Sequence, residues 1–342
     1  EDSLGFDSII ADTDANNSDY TFRVYNKPDI GVVCVTGYAF AVGKNNKALG
    51  AYSVAEGYGN VADGFHSHAE GRENYTAYAA HAEGYSNKAV GNESHAEGHR
   101  TTASGGNAHA EGQQTTASGG GSHAEGMGTN AVGSQSHAEG LNTTAKGAQS
   151  HSEGVGTQAN SFSSHVEGNG SIANAAQAHA EGYQTIASGQ SSHSEGQQTE
   201  ASGTFAHAQG IRTYAKGYAA FTSGADTEAS EAVAVAMGKS AKATARASFA
   251  MGESVTASGS QSVAMGYGTT AKQQAQAVVG KYNADNADAL FIVGNGSASA
   301  RSNAFVVDKS GNAWCGGNKV ATSDDIARLE SLITQLSNKI NG

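Results

Sequence analysis

Small apolar residues recur at every fourteenth position between about residues 40 and 280, and polar residues flank them. In the copy Ser94-His95-Ala96-Glu97-Gly98, His95 and Glu97 would share one face of a strand and Ala96 the other, because side chains alternate along a strand. A second half-motif, such as Thr101-Thr-Ala-Ser-Gly105, lies between successive copies. Fourteen residues have room for two short strands and two tight turns, and the regularly spaced glycines oppose a helix. The pattern therefore predicts a strand-rich repeat.

A closing glycine ends each repeat, so the number of these glycines gives the number of coils. They occur at positions 43, 57 and 71 and then from 84 to 280 in steps of 14, so that one interval, from 71 to 84, is a residue short. This gives 18 coils, well above the roughly three that a repeat architecture needs for stability. Parallel strands of successive coils pair at about 4.8 Å. The sequence predicts an all-β fold, a narrow parallel β-solenoid.

The two faces of the repeat differ in composition. The position of Ala96 is always small, with Ser152 and Val166 among its equivalents, so it should line the interior of a thin roll. The His/Glu face becomes apolar near the ends of the repeat, as at Phe40 and in Val235-Ala-Met-Gly238. Because this face is too bulky for the interior, we predict that it is buried against another chain. This interface ladder comprises His68, Glu70, His81, Glu83, His95, Glu97, His109, Glu111, His123, Glu125, His137, Glu139, His151, Glu153, His165, Glu167, His179, Glu181, His193, Glu195 and His207.

Histidine and carboxylate pairs also serve acid–base and zinc chemistry. However, the near-identical histidine positions from His68 to His207 are typical of packing, since catalytic groups are usually unique. We therefore predict no catalytic residue and no enzyme. His66-Ser-His68 would put two imidazoles on one strand face, as in a metal site; the alternative is that His66 is a polar residue at the position of Glu93 and Asn107. No metal and no cofactor is assigned.

The sequence is compatible with two protonation states of the ladder histidines, charged and neutral. If each histidine pairs with a glutamate of another chain, the histidine pKa values should be raised and the glutamate values lowered, and stability should peak in mildly acid solution. If the histidines are buried in the neutral form, acid should weaken the assembly from about pH 6.

Non-repetitive regions flank the repeat. Residues 1–39 are predicted to form a cap or connector, with strands at 20–25 and 31–36. Residues 281–320 are predicted to form a small β-module, with strands near 289–293 and 304–308.

Residues 321–342 predict a C-terminal coiled-coil helix capped by Thr322 or Ser323. An isolated seam with Ile at a and Leu at d favours dimers, whereas three adjoining rolls would bring three helices together. The seam steps by three and four residues through Ile326, Leu329, Ile333, Leu336 and Ile340.

The composition excludes several classes of protein. With Gly 46 and Pro 1 among 342 residues, the chain is not collagen. A formal charge of −12 disfavours nucleic acid as a partner. No run of about 18 apolar residues occurs, so we predict no membrane insertion. Cys34 and Cys315 make no metal-ligand spacing, and we predict that both are small buried apolar residues.

The repeat also resembles a known family. Val-Ala-Met-Gly at 235–238 and 263–266 resembles the head repeat of the YadA-like trimeric autotransporter adhesins. For residues 40–280 the resemblance implies a left-handed parallel β-roll, with three rolls packed as a homotrimer and the ladder at the trimer interface. Ser-His-Ala-Glu-Gly resembles the variant common in Gram-positive bacteria and their phages. Residues 291–296 and 301–311 resemble a module of phage tail-fibre and minor structural proteins.

These resemblances, and the lack of a recognisable leader or anchor sequence, lead us to expect a virion protein: a trimeric tail fibre of a phage, or of a related particle, that supports attachment to the bacterial host. The alternative is a trimeric adhesin on the bacterial cell surface. Expected partners are further copies of the chain, other tail or baseplate proteins, and a bacterial surface receptor, with glycans as one candidate class.

The receptor-binding site is unknown. Because the repeat dictates the face of the roll, we expect the roll to be a spacer and recognition to lie on variable loops or in the modules at 1–39 and 281–320. Positions expected to face solvent and to vary between coils are Arg100, Gln113, Gln114, Tyr183, Gln197 and Gln198.

Overall fold

A computed structural model describes residues 9–12, 21–24 and 38–341 of the chain. The chain divides into two compact units, Glu1–Ala201 and Ser202–Gly342. Between them the units contain about 18 β-coils and one short C-terminal helix. The predicted parallel β-solenoid is therefore confirmed.

In the first unit, equivalent strands of successive coils pair in parallel and in register, with His95 opposite His109 and Ala96 opposite Ala110. Each coil has a longer and a shorter strand. The longer strands are Phe40–Lys44, Val54–Tyr58, His68–Arg72, His81–Tyr85, His95–His99, His109–Gln113, His123–Met127, His137–Leu141, His151–Ser152, His165–Asn169, His179–Tyr183 and His193–Gln197. The shorter, two-residue strands are Lys47–Ala48, Val61–Ala62, Tyr75–Thr76, Lys88–Ala89, Thr102–Ala103, Thr116–Ala117, Asn130–Ala131, Thr144–Ala145, Gln158–Ala159, Ile172–Ala173, Ile186–Ala187 and Glu200–Ala201. Each fourteen-residue repeat is thus one coil.

The second unit continues with the same kind of coil. Its longer strands are His207–Ile211, Phe221–Ala225, Val235–Lys239, Phe249–Glu253, Val263–Tyr267 and Ala277–Lys281. Its two-residue strands are Tyr214–Ala215, Glu228–Ala229, Lys242–Ala243, Thr256–Ala257 and Thr270–Ala271.

Before the coils, Ile9–Asp12 pairs antiparallel with Thr21–Val24. The strand predicted at 20–25 is confirmed at its centre, and the strand at 9–12 was not predicted. The strand predicted at 31–36, together with Cys34, lies outside the described residues.

The interior of the coils is built from two columns of alanine. Ala96 and its equivalents in the longer strands form one column, and Ala103 and its equivalents form the other; both are fully shielded from solvent. Val166 and Val278 replace alanine in the first column and remain fully buried. The prediction that this position is small and internal is confirmed. The two short sheets of a coil pack closely, so one methyl group per position fills most of the space between them.

A third buried column is polar and was not predicted. In the first coils it consists of Asn46, Asn60, Asn74 and Asn87, and most later coils use threonine or serine, with Ala241 and Val255 as apolar exceptions. The Nδ2 of Asn60 donates to the carbonyl oxygen of Gly71 at 2.8 Å, and its Oδ1 accepts from the backbone N–H of Asn74 at 2.8 Å. Each asparagine thereby satisfies backbone groups of the next coil. The signal was present, because asparagine recurs at 46, 60 and 74 with the spacing of the repeat.

The closing glycines adopt a backbone conformation that other residues rarely tolerate. At Gly98 φ is +103°, and a Cβ atom there would lie 2.2 Å from the carbonyl oxygen of Gly112. Gly238 repeats this geometry, with φ of +110° and the carbonyl oxygen of Gly252 at 2.3 Å. Glycine is required here both by conformation and by the next coil.

A small sheet follows the last coil. Ala289–Asn295 pairs in parallel with Ala277–Lys281 and antiparallel with Asn303–Asp308, so both strands predicted in this region are confirmed. Ala313–Cys315 and Asn318–Lys319 complete the sheet as an outer hairpin. Cys315 is exposed there, so the prediction that it is buried is wrong. Its strand lies in the outer hairpin, and no other layer within the described residues covers it.

The C-terminal helix is Ser323–Asn341. Thr322 caps it: the Thr322 Oγ1 accepts from the backbone N–H of Asp325 at 3.2 Å, and the Asp325 carboxylate accepts from the backbone N–H of Thr322 at 3.0 Å. This reciprocal pair is a capping box, and it confirms the predicted helix start.

Candidate functional site

The histidines of the ladder form a stack on the outward face of the longer strands. In the first unit the stack runs from His68 to His193, with centroids of neighbouring rings 4.6–4.9 Å apart. His95 and His109 are 2° from parallel. In-register parallel pairing sets this distance, because equivalent residues of adjacent coils are separated by one strand spacing.

Most of the ladder imidazoles also lie near glutamates of their own chain. The His95 Nε2 is 3.8 Å from the Glu97 Oε2, and these side chains are 35% and 31% exposed. Some contacts cross between coils, as between the His123 Nε2 and the Glu111 Oε1 at 3.2 Å. The ladder residues therefore have partners within one chain, and their pairing across chains stays a prediction.

Burial lowers the pKa of four ladder histidines, since desolvation disfavours the charged imidazolium. The charge of neighbouring imidazoles lowers these pKa values further, because a cation one coil away opposes a second. The histidines are His81, His109, His137 and His179. Within one chain, these directions agree with the second of the two protonation states, that of neutral histidines.

The glutamates at the position of Glu97 in successive coils form a column, here called the glutamate column, and their pKa values depend on one another. The pKa of Glu139 is raised to about 7, first by burial and next by a hydrogen bond with Glu125. The pKa of Glu125 is lowered, first by its hydrogen bond with Glu111. A hydrogen bond between two carboxyl groups needs one of them to be protonated, and the raised pKa favours the proton on Glu139.

The regular stack is interrupted at His151. Its ring is 76° from that of His137 and 56° from that of His165. The strand is shortened here to His151–Ser152, and the His151 Nε2 lies 3.2 Å from the Glu153 Oε2. A ladder ring can therefore turn towards a carboxylate while the coil keeps its fold.

In the second unit the same face becomes apolar. Phe221 packs edge-to-face on His207, with ring centroids 5.4 Å apart. Valine or phenylalanine then takes the histidine position and methionine the glutamate position, in Val235–Lys239, Phe249–Glu253 and Val263–Tyr267. Apolar side chains in a row on an outward strand face are typical of an interaction surface.

An open groove of about 570 Å³ borders the glutamate column of the first coils. It is lined by Glu56, Glu70, Glu83 and Glu97 together with adjacent glycines. Because four carboxylates line the groove, it favours cations.

His66 does not share the strand face of His68. It lies in the preceding turn with φ of +58°, and its ring contacts those of Tyr52 and Phe65. The expectation of two imidazoles on one face is therefore wrong, because the strand begins only at His68. The alternative is confirmed, since Glu93 and Asn107 have the same positive φ.

Aromatic rings line the turns of the first coils and were not predicted. Tyr38 stacks on Tyr52 with centroids 5.2 Å apart. The Arg72 guanidinium lies 5.6 Å from the ring of Tyr58 and 5.1 Å from that of Tyr85. Their recurrence at about the spacing of the repeat could have revealed them.

The positions expected to face solvent do so. They are spread over several coils, so they define no single receptor site. Arg100, Gln113, Gln114, Tyr183, Gln197 and Gln198 are all exposed.

The seam of the C-terminal helix is uncovered in the single chain. Ile326, Leu329, Ile333, Leu336 and Ile340 are each more than half exposed. Within residues 9–12, 21–24 and 38–341, no helix is long and apolar enough to cross a membrane.

The coils match one family model. Residues 38–60, 89–108, 110–136, 124–150, 234–252 and 257–275 match the YadA head domain repeat. These stretches of the roll are similar to a YadA head. The matched stretches lie in both units and include Ser-His-Ala-Glu-Gly coils as well as Val-Ala-Met-Gly coils. The predicted resemblance of the repeat is therefore confirmed, and a YadA-like head is a structural, adhesin-type fold. No curated protein matches the chain.

Proposed function

We propose that the chain is a homotrimeric attachment protein displayed outside the cell, specifically a tail fibre of a phage or a related particle that supports attachment to a bacterial host. The observation that carries the proposal is the outward ladder face on coils of the YadA head type. The role is structural and adhesive rather than enzymatic, because the ladder repeats one arrangement instead of building a unique catalytic site.

Self-association is supported by two uncovered apolar surfaces. Phe40 is 53% exposed on the ladder face, and Met251 is also exposed there. The helix seam around Ile333 adds a second surface. A monomer would leave both in water, so the folded chain is expected to exist as an oligomer. The head repeat favours a trimer with the ladder at its centre.

The fibre is favoured by the region after the roll. The antiparallel strands Asn303–Asp308 and Ala313–Cys315 fall in the segment whose sequence resembles a tail-fibre module. A second candidate, a trimeric adhesin on a bacterial cell surface, is favoured by the match to the YadA head repeat itself. Labelling intact particles and intact cells with an antibody against the chain distinguishes the two by electron microscopy.

The trimer is tested by sedimentation of the full chain at micromolar concentration. We expect three times the chain mass of 34.5 kDa. Leu329→Ala with Leu336→Ala should weaken the trimer, while Gln335→Ala, an exposed change on the same helix, should not. A stable folded monomer of the unaltered chain contradicts the proposal.

Attachment should use the ends rather than the coils. A trimer presents each surface three times, so weak contacts to a surface receptor, including a glycan, gain strength through avidity. Removing residues 113–140 deletes two coils and joins Gly112 to Leu141 in register, shortening the roll by about 10 Å. We expect cell binding to persist. Loss of binding by a folded, trimeric deletion variant would place the receptor site on the coils.

A further inference from the structure

The ladder brings together groups of side chains that coordinate metals. Four groups share no residue, and in each the potential ligand atoms lie within 4.8 Å of one another. They are Glu56, His68 and Glu70; His95, Glu97 and His109; His123, Glu125 and His137; and His179, Glu181 and His193.

The group of His95, Glu97 and His109 shows the chemistry most clearly. The Nε2 atoms of both histidines are shielded from solvent and make no hydrogen bond to any residue that the structure describes. The Glu97 carboxylate lies 3.8 Å from the His95 Nε2. Shielding an imidazole nitrogen without a partner is unfavourable. A ligand that accepts lone pairs from both nitrogens would remove that cost.

We propose that the ladder binds divalent transition-metal ions, with Zn²⁺ as the best match, at three-residue sites from adjacent coils: three sites of two histidines and one glutamate, and one site of one histidine and two glutamates. Neutral imidazole and carboxylate are established ligands of Zn²⁺, and two histidines with one glutamate leave a fourth position for water or another ligand. This function goes beyond attachment and does not depend on it.

Binding requires a local turn of the rings. Stacked parallel imidazoles direct their Nε2 atoms side by side, whereas a shared tetrahedral ion needs them to converge. The ring angles of 76° and 56° around His151 show that a ladder ring adopts another orientation in a coil whose strand is shortened to His151–Ser152. The acidic groove borders Glu56, Glu70 and Glu97, so it favours the approach of cations to the first two groups.

The spacing of the coils limits the loading. Ions between every pair of coils would lie about 5 Å apart, whereas ions in alternate gaps lie about 10 Å apart. Repulsion between divalent ions falls with distance. The four separate groups are two or more coils apart, so at least one empty gap separates neighbouring ions, and we expect four Zn²⁺ per chain.

The test is Zn²⁺ titration of the metal-free full chain by calorimetry, with Co²⁺ absorption reporting the geometry. The ladder variant combines His95→Val, Glu97→Met, His123→Val and Glu125→Met, which copies the residues of the coil at Val235–Lys239. It removes two of the four groups, so the stoichiometry should fall from four to two. The control, His66→Asn with His99→Gln, removes the two histidines outside the ladder and should keep four.

Either of two results overturns the proposal: equal Zn²⁺ binding by the ladder variant and the unaltered chain, or loss of binding in the control. Circular dichroism checks that the variants fold. If the ladder variant does not fold, X-ray absorption of the Zn²⁺-loaded unaltered chain decides. A shell containing imidazole nitrogen supports the ladder site, and an oxygen-only shell contradicts it.

Discussion

The histidine–glutamate coils of the first unit and the apolar coils of the second unit share one backbone and differ in one face. His95 and Val235 occupy the same strand position, as do Glu97 and Met237, and the next residue is a glycine with positive φ in both. The inward residue is alanine in both, at Ala96 and Ala236. The inward columns and the closing glycine therefore determine the fold of the coil, whereas the ladder face determines which surfaces the coil can contact.

Substitutions at the closing glycines should have the largest effect on stability, and the effect should be the same in both units. Gly98→Val and Gly238→Val should each destabilise the roll by about 3 kcal/mol or more, because the strained conformation and the contact with the next coil act in both units. Chemical denaturation measures the loss.

Gly156→Asn is the control for these variants. Gly156 has φ of +64° with open space around its Cβ position, and Asn142 occupies the equivalent place with φ of +55°. This change should be nearly neutral. Tolerance of valine at only one of the two closing glycines would show that the units do not share one backbone requirement.

The alanine columns should give the next largest effect. Ala96→Leu and Ala236→Leu should each cost about 2–3 kcal/mol, because a closely packed interior cannot take the added volume without strain. Ala96→Val should cost less, since Val166 occupies the same column fully buried. Thermal unfolding ranks the variants. Equal stability of the leucine and alanine forms would mean that the interior is loose.

Exchanging the ladder faces should have a smaller effect. His95→Val with Glu97→Met should leave the assembly as stable or about 1–2 kcal/mol more stable, because apolar pairs avoid the desolvation of ionic ones. The reverse exchange, Val235→His with Met237→Glu, should destabilise it by a similar amount. Denaturant midpoints at pH 7 in chelator compare the two. Marked destabilisation by the first exchange would show that the polar ladder is needed for the fold.

The pH dependence is the smallest effect expected. The lowered histidine pKa values mean that the unfolded chain binds more protons, so stability present above about pH 6.5 is lost as the pH falls through that value towards the folded pKa. Glu139 acts in the opposite direction: its pKa of about 7, against an ordinary 4.5, gives stability that is lost as the pH rises through 7. Because four histidines are shifted, we expect the melting temperature to fall modestly from pH 7 to pH 5.

Melting in EDTA between pH 8 and pH 5 measures this dependence, and the variant with apolar residues at 95, 97, 123 and 125 should show a flatter profile. A maximum in mildly acid solution would instead indicate raised histidine pKa values and pairing between chains.

The repeat made most of the fold predictable, because the period, the small inward residue and the closing glycine each have one physical cause. The functional site was less accessible to prediction. Sequence spacing placed His66 beside His68, but whether a residue lies in a turn or a strand depends on where pairing with the next coil begins. The asparagine column was missed because its hydrogen bonds join residues 11 and 14 positions apart in sequence. The exposure of Cys315 depended on an outer hairpin that no periodicity revealed.

The coil that lacks one residue has a consequence for how such chains diversify. His68 lies opposite His81 and Tyr75 opposite Lys88, so both strand positions keep their register across the short interval. The deficit is absorbed in the turn between Thr76 and His81. A change in the number of residues at this corner therefore leaves the register of the ladder residues unchanged. Copying whole coils changes the length of the roll, while changes at this corner alter the displayed surface, so we expect a short foreign peptide grafted there to be presented without disturbing the scaffold.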